Sequence, residues 1–464
     1  MTESVSSIKD LKDVDVIFLS CHDHNEGTNN HGLFQMHEFF KKNVKVKSVF
    51  ASTLGSMYEN SIDIFDISHL GEGLKLAQQI TPSLSKPLKN HPQSWLNMEK
   101  EDYVDCASKV FIENLPNHKF IAIADRGEID LLVLEAVMKH FKSKLIILSA
   151  VNNAWTGFCS FPDEFNCDKF KTEAGCCNPC PAIADRENVA GDFVKNTFSD
   201  TREFLERNRD SVLLNVGSSY SLKEAEGSYL FKDVEKCLIP LKNWYTVDDF
   251  ETLWNTKKEN KSKFLENLKN NNKNFHTDKI KFIVMWSAHD IAIKRKGIDY
   301  YINSLRILKY LLKFNRFEEV LMIFTCKMGD ETAVKTILEL GIPVVFTNHI
   351  SRQNYDFLIS ASDIYCSTTV SDAGPRTTLE AASAGTPVIS FDNCNASDLI
   401  NENKGALVPT YDVKKYAEEM HRFANYSESE RKQISKNLYD DYNRTFDTKA
   451  LVGKWETFLK KHEV

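Results

Sequence analysis

No apolar run in the 464-residue chain approaches the ~18 residues that a membrane-spanning helix needs. A basic start followed by an apolar run is missing as well, because residues 1–15 are polar, so no secretory leader is read there. Together these absences predict a cytosolic protein. Positive charge is not in excess: 58 Lys and Arg stand against 65 Asp and Glu, a net charge of -7. That balance excludes the electrostatic footprint of a nucleic-acid binder and leaves only local basic patches to touch an anionic membrane surface. No segment repeats along the chain.

At 42% hydrophobic content over this length, the sequence exceeds one ordinary core, and two domains of roughly 200 residues each are expected. Apolar runs alternate with stretches of helical periodicity, the pattern of βα units and a largely parallel sheet. The strands predicted in the first half are 15–19, 120–124, 145–148 and 212–214. In the second half they are 280–285, 320–324, 344–346, 364–366, 388–391 and 406–408. Residues 257–279 are rich in Lys and Asn, with little apolar surface, and read as the exposed helix and loop of a hinge. The expected division is therefore a first domain over 1–250, a linker over 251–278, a second domain over 279–440 and a returning C-terminal helix over 441–464. Ser427 and Glu430 have capping-box spacing, and Leu451, Trp455 and Phe458 follow at i, i+4 and i+7.

The most informative stretch runs from Ser371 to Ile389. A predicted strand ends in the polar run Ser367, Thr368, Thr369, Ser371, and Gly374 then lets backbone approach a ligand closely. Thr377 or Thr378 opens a helix whose free N–H groups favour a diphosphate. Asp372 lies on the loop and Glu380 about a turn into the helix, two acceptor-only groups suited to two sets of sugar hydroxyls. Ala381, Ala382, Ser383 and Ala384 are small enough for close packing on a sheet before Gly385 and Pro387 end the helix. A second segment leads from strand 280–285 to Lys294, Arg295, Lys296 and Gly297.

These residues resemble the retaining family-4 glycosyltransferases of GT-B architecture, whose signature is an acidic residue, seven residues, then Glu. Asp372 and Glu380 fill that pattern, with Asp in place of the first Glu, and the Ala-Gly-Pro after the acid resembles the colanic-acid and surface-polysaccharide subset. The resemblance implies an α/β fold of two Rossmann-like domains facing across a cleft, with the C-terminal helix packing back on the first. It implies transfer of a hexose from a nucleoside-diphosphate sugar to a hydroxyl of a glycan or lipid-linked saccharide. Lys296 and Asp372 are then the catalytic pair, and Ala373, Gly374, Pro375, Arg376, Thr377 and Glu380 complete the donor site. Relatives often carry Gly-Arg at the end of the 280–285 strand, where this chain has Ser287-Ala288, and Arg295, Lys294 or Arg376 are the candidate replacements.

In the first half, the polar loop 21–32 follows the first strand, where open α/β sheets bind ligands, and its three histidines fit no zinc spacing. By resemblance Gly27, Thr28, Asn29 and Asn30 face the donor phosphates and acceptor. Relatives place a His-Asp before Trp155, where this chain has Asn152-Asn153; Asn152 or Asn153 takes that place, and an amide can hydrogen-bond a hydroxyl but cannot act as a base.

Five of eleven cysteines fall in 155–181. Cys159, Cys167, Cys177 and Cys180 are the candidate set for a structural zinc, with reduced packed thiols, a disulfide or an iron-sulfur cluster as alternatives. No metal is expected in catalysis. A second reading, motivated by the missing histidine and arginine, is a GT-B glycan- or nucleotide-binding protein that has lost turnover; a third is a GT-B epimerase or phosphorylase, although no pyridoxal-phosphate lysine site is recognisable.

Overall fold

A computed structural model describes residues 13–20, 28–52, 61–63, 100–124, 129–149, 151–157, 159–178, 180–181, 193–240, 249–271, 276–312, 314–348, 350–374 and 376–463. The chain divides into two compact units, Met1–Leu241 with Thr448–Val464, and Lys242–Asp447.

The first unit holds a seven-stranded sheet of order β3-β2-β1-β4-β5-β6-β7. Its strands are β1 (Val14–Ser20), β2 (Ser48–Ser52), β3 (Ser61–Asp63), β4 (His118–Ala124), β5 (Lys144–Ser149), β6 (Val212–Val216) and β7 (Glu235–Leu238). Every pairing is parallel. The last helix, Thr448–His462, belongs to this unit and buries Leu451, Trp455, Phe458 and Leu459. Trp455 meets Phe40 edge-on at 5.0 Å, and Lys461 reaches Glu235 at 2.5 Å.

The second unit holds a six-stranded parallel sheet of order β10-β9-β8-β11-β12-β13. The strands are β8 (Phe282–Asp290), β9 (Val320–Lys327), β10 (Val344–Thr347), β11 (Ile364–Ser367), β12 (Val388–Phe391) and β13 (Gly405–Val408). β8 is buried without interruption from Phe282 to Ser287, because a parallel sheet covered on both faces leaves no solvated side for polar residues to occupy. Trp286, Tyr301 and Phe324 form the aromatic centre of its core.

All ten predicted strands are present. The three that the sequence did not signal are short and partly polar: β2 begins and ends in Ser, and β7, at the sheet edge, has no buried residue. Polar residues on an edge strand hide the apolar signal while protecting the edge from stray pairing. The Ser427 capping box is formed and starts the helix Glu428–Thr445.

The Lys- and Asn-rich stretch, read as exposed helix and loop, is mostly the helix Phe250–Asn271 of the second unit, with Phe250, Leu253, Lys257 and Phe264 buried. Lys257, read from sequence as a solvated charge, sends its ammonium to Ser360 O at 3.1 Å, Ser362 O at 3.3 Å and Thr386 Oγ1 at 2.5 Å. Burial depresses its pKa to about 7, against the pull of Asp363 and aided by Lys261. The unfolded chain, with its usual value of 10.5, therefore binds more protons between these limits. The stability of this unit is expected to be higher near the upper limit and to fall as pH drops to about 7. Denaturant midpoints across this range should show a steeper slope for the wild type than for Lys257→Met; equal slopes would refute the assignment.

Candidate functional site

The strand order of the second unit reverses between β8 and β11, and ligands in open α/β sheets bind beyond the carboxyl ends of strands at such a switch point. Both segments that the sequence singled out emerge there. β8 ends in an irregular register between Ser287 and Asp290. The Asp290 carboxylate accepts from Ala292 N at 2.9 Å and Gly329 N at 3.0 Å. One 3-10 turn, Lys294–Lys296, follows before Gly297 opens the helix Ile298–Leu311.

The turn is fastened to the chain leaving β11. Thr368 Oγ1 donates to Lys296 O at 3.0 Å and accepts from Trp286 Nε1 at 3.2 Å, while Val370 N donates to Arg295 O at 2.8 Å. Gly297 is required by this closeness: its φ is 73°, and a Cβ there would lie 2.0 Å from Thr368 O. Gly297→Ala is expected to cost about 3 kcal/mol, the upper end for a strained backbone position. A denaturation curve measures it, and a loss well under 1 kcal/mol would show that the turn gives way.

With the backbone fixed, the side chains converge. Arg295 Nη1 lies 2.9 Å and Lys296 Nζ 2.6 Å from the same oxygen, Asp372 Oδ2, and all three side chains are largely buried. Burial opposes ionisation of Asp372, but Lys296 and Arg295 outweigh it and hold its pKa below the usual value. Gly374 N donates to the other oxygen at 3.3 Å. The helix Arg376–Ser383 then begins, one or two residues before the expected Thr377 or Thr378, with Thr378 and Glu380 buried. Among the described residues Ser371 Oγ, Thr378 Oγ1 and Asn395 Oδ1 are buried without a hydrogen-bond partner. Buried polar atoms left unsatisfied are costly and call for a water or a ligand group.

Glu380 is held by Arg352, the first residue of the helix Arg352–Ala361. Arg376 also feels Glu380: burial lowers its pKa, Glu380 opposes the change and Arg352 adds to it. Four cations, Arg295, Lys296, Arg352 and Arg376, thus face three carboxylates, Asp372, Glu380 and Asp356, an excess of one positive charge. A net positive cluster of this kind suits an anionic group such as a phosphate. Of the candidate replacements for the strand-end arginine, Arg295 is the one that joins Lys296 on Asp372. Arg352 carried no sequence signal, because it stands 28 positions before Glu380.

Ala373 is buried beside this cluster, and Pro375 lies outside the described residues. Gly27 also lies outside them, and Thr28 and Asn29 start the helix Thr28–Asn43 with side chains outside the description. Asn152 is fully buried at 0% exposure, and among the described residues neither of its amide atoms has a hydrogen-bond partner. It sits in the turn leading from β5 to Trp155, which is buried as well.

Cys159, Cys167, Cys177 and Cys180, together with Cys176, line one cavity of about 180 Å³. Among the described residues no group of three His, Cys, Asp or Glu is placed to hold a metal ion, although Cys159 and Cys176 lie close enough to Cys167 and Cys180 to feel their charge. Cys176 donates to Thr156 O at 2.9 Å, and burial pushes the Cys159 and Cys176 thiols up to about 12. The segment is packed by its glycines, since a Cβ on Gly157 or Gly175 would lie 2.7 or 2.4 Å from Phe198. Among the described residues no helix is long and apolar enough to cross a membrane.

Residues 266–441 match the family described as Glycosyl transferases group 1. No curated protein matches the chain. Among solved structures, a TarM mutant of S. aureus in complex with fondaparinux, alpha-GlcNAc-glycerol and UDP is 13% identical with a TM-score of 0.51, over 77% of this chain and 59% of its own. HepE of Anabaena in complex with UDP is 12% identical with a TM-score of 0.58, over 96% of this chain and all of its own. Sucrose-phosphate synthase of Thermosynechococcus elongatus is 12% identical with a TM-score of 0.57, over 96% and 98%. The chain spans about three fifths of the length of TarM and of the pneumococcal O-GlcNAc transferase GtfA. The shared architecture is the GT-B fold of two Rossmann-like domains.

Proposed function

We propose that the protein is a nucleotide-sugar-dependent glycosyltransferase that moves a hexose to an acceptor hydroxyl with retention of anomeric configuration, in assembly of a surface glycan or polysaccharide. The observation that carries this reading is the convergence of Arg295 and Lys296 on Asp372 in the loop that opens the Arg376–Ser383 helix. The family match over 266–441 contains all of these residues. HepE was solved with UDP-glucose and GtfA with UDP and GlcNAc, which favours a UDP-hexose as donor here.

In this reading the donor diphosphate lies on Lys296, Arg295 and the N–H groups at the start of the helix. Glu380 takes the ribose hydroxyls, and Asp372 orients the hexose. The bond from the anomeric carbon to the phosphate oxygen breaks while the acceptor oxygen bonds the same face of that carbon. The departing phosphate oxygen takes the acceptor proton, and nucleoside diphosphate leaves. Fixed cations stabilise the charge that grows on the diphosphate, the term most often dominant in such chemistry. The acceptor is a glycan or a lipid-linked saccharide met on the cytoplasmic side, and a lipid-linked one would bring the enzyme to the membrane periphery.

Calorimetry and thermal shift against UDP-, GDP-, ADP- and TDP-sugars test the donor site. A uridine nucleotide is expected to bind, and to bind more weakly in both Lys296→Ala and Glu380→Ala. Failure of every nucleotide would remove the reading. Diphosphate release only when acceptor is present separates a transferase from a binding protein without turnover.

A further inference from the structure

We infer that Arg352 is a positioning residue that aims the Glu380 carboxylate at the ribose of the donor. The inference rests on the donor-site reading above. Arg352 is the first residue of a helix capped by Ser351, whose Oγ accepts from Asn354 N at 3.3 Å. Its guanidinium is gripped on one edge by Asp356, one turn later, through Nε at 3.1 Å and Nη2 at 2.6 Å. It also lies over the Tyr355 ring, 5.6 Å from the centroid. Tyr355 in turn is tied to the switch-point strands, because Ser287 Oγ meets Tyr355 OH at 3.1 Å and Tyr365 OH at 2.9 Å.

The planar fork of an arginine has a fixed geometry, so two held donors dictate where the third points. Here the third, Nη1, meets Oε1 of Glu380. Among the described residues that carboxylate makes no other side-chain hydrogen bond, although Glu380 is only 7% exposed. An ionised carboxylate has about four lone-pair sites, and one oriented by a rigid partner presents the remainder in a fixed direction. A simple surface ion pair would need neither the Asp356 grip nor the Tyr355 anchor. Orienting Glu380 therefore makes recognition of ribose hydroxyls, rather than overall affinity, the property that Arg352 controls.

The test uses the full chain and compares UDP, GDP and ADP with their 2′-deoxy counterparts by calorimetry, in wild type, Arg352→Gln, Arg352→Lys and Glu380→Ala, with inorganic pyrophosphate as a control ligand. Wild type is expected to prefer one ribonucleoside diphosphate about tenfold over its deoxy form, as expected for one well-placed hydrogen bond. Arg352→Gln should bring that ratio to about two or less while leaving pyrophosphate affinity within about twofold, and Arg352→Lys, which keeps charge but not the fork, should fall between. Loss of the ratio in Glu380→Ala with its retention in Arg352→Gln and Arg352→Lys overturns the positioning role alone. Retention in Glu380→Ala overturns the ribose role of Glu380 and this inference with it. Absence of nucleotide binding in the wild type overturns the donor-site reading itself.

Discussion

Lys296→Ala is expected to lower kcat/KM for the nucleotide sugar about 10³-fold, with the larger part in kcat. The ammonium is a compact charge on a turn whose backbone is bonded to Thr368 and Val370, so it needs no reorganisation as charge grows on the leaving diphosphate. Removing one preorganised donor of this kind costs about 10²–10³ in rate. Arg295 cannot fully replace it, because its guanidinium also donates to the Ser371 carbonyl at 3.4 Å. Lys296→Arg keeps the charge but adds a planar head that must displace Arg295, and should recover only part of the activity. Steady-state kinetics with saturating acceptor decide the matter, and a Lys296→Ala enzyme within tenfold of wild type would remove Lys296 from the leaving-group site.

The second unit was legible because its strands are continuous apolar runs and because an acidic loop, a glycine and a helix start occur together at 371–380. Local order of that kind is written locally. Partnerships across the fold are not: Arg352 and Glu380 stand on different helices, and nothing near Arg352 distinguishes it from a solvated helix start. The same limit applies to Lys257, which composition placed in a hinge and the fold places against the end of the Arg352–Ala361 helix and Thr386. In the first unit the cysteine spacing suggested a tetrahedral site, and the structure brings those thiols around one cavity. Thr156 and Phe198, distant in sequence from most of the thiols, determine how that segment packs. Asn152 shows the converse case, a residue identified by position whose burial follows from the turn around it.

Asp372→Asn should separate binding from turnover, and its sign is the more diagnostic of the two expectations. In the structure Asp372 is the anion that Arg295 and Lys296 share, so an incoming diphosphate competes with it for both cations. Asparagine keeps the shape and one carbonyl acceptor but removes the negative charge. Two like charges then lie close together with little compensation, and the unliganded protein should lose about 2–3 kcal/mol, toward the lower end for breaking a largely buried pair. A nucleoside diphosphate restores the missing charge, so its affinity should rise, by about tenfold for a gain of 1.4 kcal/mol, and the thermal shift it produces should exceed that of the wild type. Turnover should move the opposite way, down about 10²–10³-fold, because the group that orients the hexose has lost its charge while the phosphate site has not. Nucleotide affinity that falls together with kcat would mean that Asp372 contacts the donor mainly as a binding group and does not compete with its phosphates. Affinity that rises while kcat falls would identify the Asp372 carboxylate as occupying, in the unliganded protein, the electrostatic place that the donor diphosphate later takes.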